Sequence, residues 1–190
     1  MKKRVGVFGG SFDPVHQGHT HIVNEILASG LIDELLILLT PDPPHKDKSA
    51  QAYYDHRLKM LELAFADFQN VVISDLEKSL PVPSYTLQTI QYLKRENPGY
   101  TYFLCMGEDS IASFHTWYRY EDLLNQVTLV VANRPGITSK HISKEILEKT
   151  IFLNNSEVNI SSTEIRLSEI EDTVVPQQVA QYIRKHKLYT

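Results

Sequence analysis

Residues 5–19 read VGVFGGSFDPVHQGH, an apolar run that ends in two glycines and leads into two histidines. Glycines directly after a strand let the backbone approach a ligand with its N–H groups exposed. His16 and His19 are three residues apart, so they share one face at the start of the helix predicted to follow. A helix start favours an anion, and Gly18 removes side-chain bulk between the histidines. The stretch therefore predicts a strand, a turn and a helix that bind a phosphate through backbone amides and two imidazoles.

Other interpretations of this stretch account for less of it. The two common phosphate-binding patterns, G-x-G-x-x-G and G-x-x-x-x-G-K-[ST], are absent from it. A plain tight turn with histidines as caps or surface residues explains the glycines and Asp13, but not two histidines on either side of a glycine. A zinc site of His16, His19 and His21 is disfavoured, because no cysteine is nearby and His21 falls off the face that the other two share.

Outward from this stretch, apolar runs alternate between the periods of strands and helices. Residues 35–39 are apolar at every position, which is typical of a strand buried on both faces of a parallel sheet. Val179, Tyr182, Ile183 and His186 have the spacing of a closing helix. The predicted strands span 5–9, 35–39, 71–73, 102–106 and 127–132, and the other predicted helices span 20–28, 53–68 and 86–96. This alternation predicts an α/β fold with right-handed crossovers.

The most chemically varied segments follow the predicted strands. In open α/β sheets, ligands bind beyond the carboxyl ends of the strands. The segments in those positions are 10–13, 40–46, 81–86, 107–109 and 133–136. They are expected to meet at one edge of the sheet and to form a single site.

Composition limits the classes of function. The 190 residues carry a formal net charge of -4, which offers no global attraction for nucleic acid or anionic lipid. Cys105 is the single cysteine, which fits a reducing compartment, and its place in a predicted strand makes it a buried structural thiol. No run approaches the ~20 apolar residues of a membrane span, and Gly9 interrupts the apolar stretch that a signal peptide would need. A cytoplasmic protein is expected.

A second anchor lies near the carboxyl end, where residues 160–166 read ISSTEIR. Ser161 and Glu164 have the spacing of a capping box and predict a helix that starts at Ser162. The hydroxyls of Ser162 and Thr163 and the guanidinium of Arg166 are then placed to face a phosphate. Taken alone, this segment favours a plain capped helix with a surface arginine.

Together the two anchors resemble the signatures of one superfamily. Residues 10–19, preceded by the matching Gly9, resemble Gly-x-Phe-Asp-Pro-x-His-x-Gly-His, and residues 160–166 are similar to I-S-S-T-x-I-R. These are the two motifs of nucleotidyltransferases related to class I aminoacyl-tRNA synthetases. The resemblance implies a single nucleotidyltransferase domain over residues 1–190, with a Rossmann-like open, mainly parallel sheet, helices on both faces and closing C-terminal helices. It implies catalytic roles for His16, His19 and Arg166, and ATP binding by Gly9, Gly10, Ser11, Phe12, Gly18, Ser162 and Thr163.

The middle of the chain resembles the bacterial nicotinate-nucleotide adenylyltransferases. The similar segments are 43–46, Arg57, 84–86, 107–109 with Trp117, and 134–136, in the family's order. The resemblance implies transfer of AMP from ATP to nicotinate mononucleotide in NAD biosynthesis. It implies that Thr86, Trp117 and Tyr118 line a pyridine pocket, that Gly107 and Asp109 lie by the ATP nucleoside, and that Arg134 lies nearby as a substrate-binding residue.

Residue chemistry supports parts of this assignment. His45 and Lys46 follow a rigid proline turn, a good place to hold the phosphate of the acceptor. A flat pyridine ring calls for an aromatic wall, which Trp117 supplies, and Thr86 at a helix start offers amide and hydroxyl donors to a carboxylate. Position by position, a core role for Trp117, a surface role for Arg134 and a helix-capping role for Asp109 remain alternatives.

Three features depart from the family's pattern. Thr20 stands where an apolar residue is frequent, and Glu108 stands where a small residue is common, which is expected to alter the edge of the nucleoside pocket. Only nine residues separate Arg166 from Pro176, and this short link is expected to affect packing or assembly more than chemistry.

The expected chemistry needs no general base. A phosphate monoester has a second pKa of about 6, so the acceptor is largely dianionic near pH 7. Catalysis then consists of positioning and charge neutralisation, with Mg²⁺ arriving on ATP. Phosphopantetheine adenylyltransferase and a non-catalytic nucleotide sensor are the alternatives. The sequence leaves open nicotinate against nicotinamide mononucleotide and the oligomeric state, a homo-oligomer included.

Overall fold

A computed structural model describes residues 2–41, 52–133, 142–154, 165 and 174–189 of the chain. The strands are β1 (Arg4–Gly10), β2 (Glu34–Leu39), β3 (Val71–Ser74), β4 (Thr101–Gly107), β5 (Thr128–Asn133) and β6 (Thr150–Asn154). The helices are α1 (Gln17–Ala28), α2 (Tyr54–Phe65), α3 (Thr86–Glu96), α4 (Glu108–Ser113), α5 (Tyr120–Leu124), α6 (Lys144–Glu148) and α7 (Gln177–His186), with 3₁₀ turns at Leu76–Ser79 and Phe114–Thr116.

The six strands form one parallel sheet in the order β3-β2-β1-β4-β5-β6. The predicted open parallel sheet is therefore confirmed. The chain first builds the sheet outward from β1 through β2 to β3, and then returns to place β4 on the other side of β1. At this reversal the loops after β1 and β4 diverge and leave a crevice, which is where doubly wound sheets bind ligands.

Helices cover both faces of the sheet, as predicted. On one face, α1, α2 and α7 pack on the side chains of Phe8, Leu35 and Ile37. On the other face, α3 to α6 pack on Val7 and Leu38. Residues 35–39 supply both clusters, which explains why that strand is apolar at every position.

The closing helix α7 lies against α2. Its buried residues are Val179, Ala180 and Ile183, and Tyr182 contacts His56 of α2 through a hydrogen bond of 2.9 Å. Upstream, the carbonyl of Val174 accepts a hydrogen bond of 2.9 Å from the amide of Gln17. The predicted closing helix is thus confirmed, and it fastens the carboxyl end of the chain to the start of α1.

Several boundaries differ from the prediction. Helix α1 begins at Gln17 rather than at residue 20, and α2 ends at Phe65, although the Phe68 ring still packs edge-on against Phe65 at 5.1 Å. Strand β6 and helix α6 were not predicted. Within the described residues, no helix combines the length and the apolar character that a membrane span requires.

Candidate functional site

A cleft of about 150 Å³ lies beyond the carboxyl ends of β1, β2 and β4. Its walls include Gly9 and Gly10 from the end of β1 and Thr40 from the end of β2. Thr86 and Trp117 contribute from the face of the sheet that α3 covers. Residues that are more than 70 positions apart in the sequence therefore share one cavity at the point where the strand order reverses. The expected meeting of the glycine turn with Thr86 and Trp117 is present in the structure.

The two glycines of the turn differ in their surroundings. A Cβ atom added to Gly10 would lie 3.1 Å from the Phe12 ring, whereas one added to Gly9 would meet nothing within 4 Å. Gly10 is therefore needed for the turn's own packing. Because Gly9 lines the cleft, the absence of a side chain there leaves space for a ligand.

Phe12 holds the turn in a strained conformation. Its φ angle is 44°, which is rare for a bulky side chain, and the residue is 1% exposed. Such a backbone persists only when its surroundings determine it strongly. The Phe12 ring packs edge-on against Phe8 with centroids 5.6 Å apart and against the His19 ring at 4.9 Å. The strained turn is thus part of the surface on which His19 rests.

His16 and His19 form a close pair at the start of α1. Their ring centroids are 3.8 Å apart, and His16 is 6% exposed. The backbone N–H of His16 donates a hydrogen bond of 3.2 Å to Nδ1 of His19. Because Nδ1 accepts this bond, the neutral His19 ring carries its proton on Nε2, which then acts as a donor. The two imidazoles therefore lie together at the turn for which the sequence predicts a phosphate.

Some donors at the start of α1 are already used inside the protein. The amide of Gln17 donates to Val174, and the amides of His19 and Thr20 donate to the carbonyl of His16. The hydroxyl of Thr20 donates to the Gln17 carbonyl at 2.9 Å. The polar group that Thr20 brings, in place of the family's apolar side chain, is therefore hydrogen-bonded within α1. The predicted phosphate site therefore depends on the glycines and the imidazoles rather than on every amide of the helix start.

Of the three residues predicted to line a pyridine pocket, two line the cleft. Thr86 is the first residue of α3 and lines the cleft, as does the half-buried Trp117, whose ring packs against Phe114 at 5.3 Å. Tyr118 is 47% exposed, and its ring stacks on Tyr85 at 4.2 Å. Tyr118 is not among the described residues that line the cleft. Its stacking partner Tyr85 directly precedes Thr86 in the chain.

The predicted nucleoside residues lie at the end of β4. Gly107 is the last residue of β4, and a Cβ atom there would lie 3.4 Å from Ile22 of α1. Asp109 is exposed in the first turn of α4, one residue before Ser110, which lines the cleft. Glu108 is buried, so this departure from the family's pattern points into the protein.

Glu77 is a residue near the site that the sequence did not reveal. It is 6% exposed and lines the cleft, and its Oε1 accepts a hydrogen bond of 3.0 Å from the hydroxyl of Thr89. Its backbone carbonyl accepts from the hydroxyl of Ser84 at 3.4 Å. Burial raises the pKa of Glu77, and the nearby hydroxyls of Thr89 and Thr40 oppose that rise. Glu77 thus connects its 3₁₀ turn to Ser84 before α3 and to Thr89 within it, and a single acidic residue in a short polar segment gives no sequence signal for this role.

Cys105 lies at the inner wall of the cleft and is buried. Removal from water raises the pKa of its thiol to about 12. A neutral thiol is a poor nucleophile, which confirms the structural role predicted for the single cysteine.

The remaining predicted site residues, His45, Lys46, Arg134, Ser162, Thr163 and Arg166, lie outside the described residues. Ile165, directly before Arg166, is described; it is helical and buried. It belongs to the same apolar cluster as Phe8, Phe12 and Val15. One residue of the second motif is therefore buried in the same apolar core as residues of the first. Within the described part of the chain, no group of three or more histidine, cysteine or acidic side chains is arranged to hold a metal ion.

Comparisons with known proteins agree on one family. Residues 7–168 match the family model described as cytidylyltransferase-like. A nicotinate-nucleotide adenylyltransferase of Bacillus subtilis is 32% identical over 191 residues, covering 98% of each chain. A probable nicotinate-nucleotide adenylyltransferase of Listeria innocua is 35% identical, covering 100% of this chain and 98% of the relative. The structure of Plasmodium falciparum nicotinic acid mononucleotide adenylyltransferase complexed with NaAD matches with a TM-score of 0.83 over 98% of this chain and 97% of that one. The two sequences are 23% identical, so this match shows that the fold is shared and no more.

Proposed function

Since the chain belongs to the nicotinate-nucleotide adenylyltransferase family, we infer that it transfers the AMP part of ATP to nicotinate mononucleotide, giving nicotinate adenine dinucleotide and pyrophosphate in NAD biosynthesis. The observation that carries this function is the shared cleft, where a glycine turn suited to phosphates faces a helix start and an indole ring suited to a pyridine carboxylate. Relatives of the same length that are 32% and 35% identical support it.

Each side of the cleft is assigned to one substrate in this proposal. The backbone of residues 9–11, with His16 and His19, contacts the triphosphate of ATP, and Arg166 joins them there. Thr86 and Trp117 hold the pyridine ring and its carboxylate, and His45 and Lys46 hold the acceptor phosphate. The strained and tightly packed turn supports the first assignment, because a rigid donor set stabilises charge without having to reorganise.

The reaction proceeds by direct in-line attack of the acceptor phosphate oxygen on the α-phosphorus of ATP. The oxygen–phosphorus bond to pyrophosphate breaks as the new one forms, and no covalent enzyme intermediate is made. The acceptor is already dianionic near pH 7, so proton abstraction is unnecessary. What the protein supplies is alignment of two anions and neutralisation of the charge on the departing pyrophosphate. The un-ionised Cys105 at the inner wall is consistent with the absence of a covalent step.

Mg²⁺ enters in this proposal as part of the ATP substrate. Amides and imidazoles at the glycine turn suit an anion rather than a hard cation, which prefers oxygen ligands. The phosphate oxygens of ATP and water supply such ligands. The residues of the turn therefore bind the phosphates, and the cation neutralises part of their charge.

The function is tested by pyrophosphate release from Mg-ATP with three acceptors in parallel: nicotinate mononucleotide, nicotinamide mononucleotide and phosphopantetheine. Release is expected with nicotinate mononucleotide at a kcat/KM at least tenfold above that of the other two. Faster release with phosphopantetheine would replace the proposed substrate. ATP binding without release with any acceptor would make the protein a nucleotide sensor.

A matched pair of glycine substitutions tests the position of the triphosphate. Gly9→Ala is expected to raise KM for ATP about tenfold, or ~1.4 kcal/mol, because its methyl group occupies space that the phosphates need. The free energy of unfolding is expected to stay the same or rise by about 0.4–1 kcal/mol, since a Cβ atom there meets nothing within 4 Å and φ is not positive. Initial rates and denaturant unfolding measure the two effects.

Gly99→Ala is the matched control, because a Cβ atom there also meets nothing within 4 Å. Gly99 lies between α3 and β4, at the amino end of that strand and away from the cleft. It is expected to keep the wild-type KM for ATP. Equal KM values for the two variants would remove Gly9 from the phosphate site.

A further inference from the structure

Arg57 is a buried cation to which the proposed chemistry assigns no part. It lies in the first turn of α2 and is 2% exposed. Its guanidinium donates four hydrogen bonds to backbone carbonyls, those of Ala52 at 3.2 Å, Ser11 at 2.8 Å, Thr40 at 3.0 Å and Pro41 at 3.0 Å. A buried arginine is normally paired with a carboxylate or a phosphate. Here the four carbonyl dipoles help to compensate its charge.

The four carbonyls lie at the ends of the segments that form the site. Ser11 belongs to the glycine turn after β1, and Thr40 and Pro41 follow β2. Ala52 precedes α2, and its amide donates to the Asp13 carboxylate at 3.2 Å. The amide of Thr40 donates to the Gly10 carbonyl at 3.0 Å. One side chain therefore ties the turn after β1 to the turn after β2 and to the start of α2.

The bond to Ser11 has a direct consequence for Phe12. In a trans peptide the carbonyl and the next N–H point in opposite directions. Arg57 holds the Ser11 carbonyl on its own side, so it fixes the plane of the Ser11–Phe12 peptide and directs the Phe12 N–H the other way. This peptide leads into the strained residue with φ of 44°, whose ring contacts His19 at 4.9 Å.

We propose that Arg57 is a positioning residue that sets His19 through the Ser11–Phe12 turn. It contacts neither substrate. Its guanidinium fork holds the turn in the strained conformation, and the Phe12 ring then fixes the plane and the Nε2 direction of the His19 imidazole. The proposal rests on the proposed function and on the part of His19 in it.

A double-mutant cycle tests the proposal. R57K keeps the charge but replaces a planar fork with a point donor that cannot reach four carbonyls. In the wild-type background it is expected to lower kcat about tenfold. In the His19→Ala background it is expected to lower kcat less than twofold further, because the group that Arg57 positions is already gone. A purely structural role would lower kcat by the same factor in both backgrounds, and that result would overturn the proposal.

Two further measurements keep the test decisive. R95K is the control, because Arg95 is exposed near the far end of α3, nine residues or about 14 Å along the helix from Thr86, and is expected to leave kcat unchanged. If R57K does not fold, R57Q, which carries no charge to bury, is measured in the same cycle. Failure of both to fold would give Arg57 a role in stability alone and overturn the proposal. Failure of the proposed function is distinguishable, since wild-type protein would then release no pyrophosphate with nicotinate mononucleotide as the acceptor.

Discussion

His19→Ala is expected to lower kcat by about two to three orders of magnitude while KM for nicotinate mononucleotide stays within about threefold of wild type. The loss falls on kcat because the Nε2–H of His19 meets charge that grows on the phosphates as pyrophosphate leaves. Nδ1 is held by the His16 amide at 3.2 Å, so the donor is already oriented before the reaction. Pyrophosphate release at saturating substrates, with initial rates at varied acceptor, separates the two constants.

A conservative replacement and a control histidine variant accompany this measurement. His19→Gln places an amide N–H near the position of Nε2 and is expected to recover part of the lost kcat. His186→Ala removes an exposed imidazole on α7, where the ring packs on Tyr182 at 4.3 Å, and is expected to leave kcat unchanged. Wild-type turnover in folded His19→Ala would refute the role assigned to this residue.

The order of strands and helices was predictable because each long element carries its own period. Residues 35–39 stand out as an unbroken apolar run, residues 86–96 are long enough to show a helical period, and the structure places elements at Glu34–Leu39 and Thr86–Glu96. Strand β6 and helix α6 have five residues each, too few to show a period. Short elements of this kind are fixed by the neighbours they pair with, here β5 for β6.

The chemistry of the glycine turn was predictable, but its geometry was not. Glycines suggest positive φ angles, yet of the described glycines only Gly30 has one, and in the turn it is Phe12 that adopts it. Gly9 and Gly10 serve instead by lacking a side chain. A strained φ at a phenylalanine depends on contacts made by residues such as Arg57, which is 46 positions from Ser11. Sequence patterns of short range carry no signal for such a contact.

Glu77 and Arg57 illustrate the same limit in the placement of site residues. A motif reveals residues that touch a ligand, because their types and spacing follow the ligand's chemistry. Residues that hold the motif in place are chosen by the fold. Glu77 contacts Thr89 and Ser84, and Arg57 contacts carbonyls of three separate segments, through the fold rather than through a motif.

Trp117→Ala is expected to raise KM for nicotinate mononucleotide about tenfold to a hundredfold, with kcat and KM for ATP within about threefold of wild type. Trp117 lines the cleft together with Thr86, and Phe114 supports its ring at 5.3 Å. Stacking of a flat ring on an aromatic side chain contributes about 1–3 kcal/mol, which sets the size of the effect. In the proposed mechanism the pyridine ring lies away from the reacting phosphorus and contacts the indole equally before and during the reaction, so the change is expected to fall on KM. Trp117→Phe keeps an aromatic wall and is expected to show a smaller rise. An unchanged acceptor KM in folded Trp117→Ala would place the pyridine ring elsewhere.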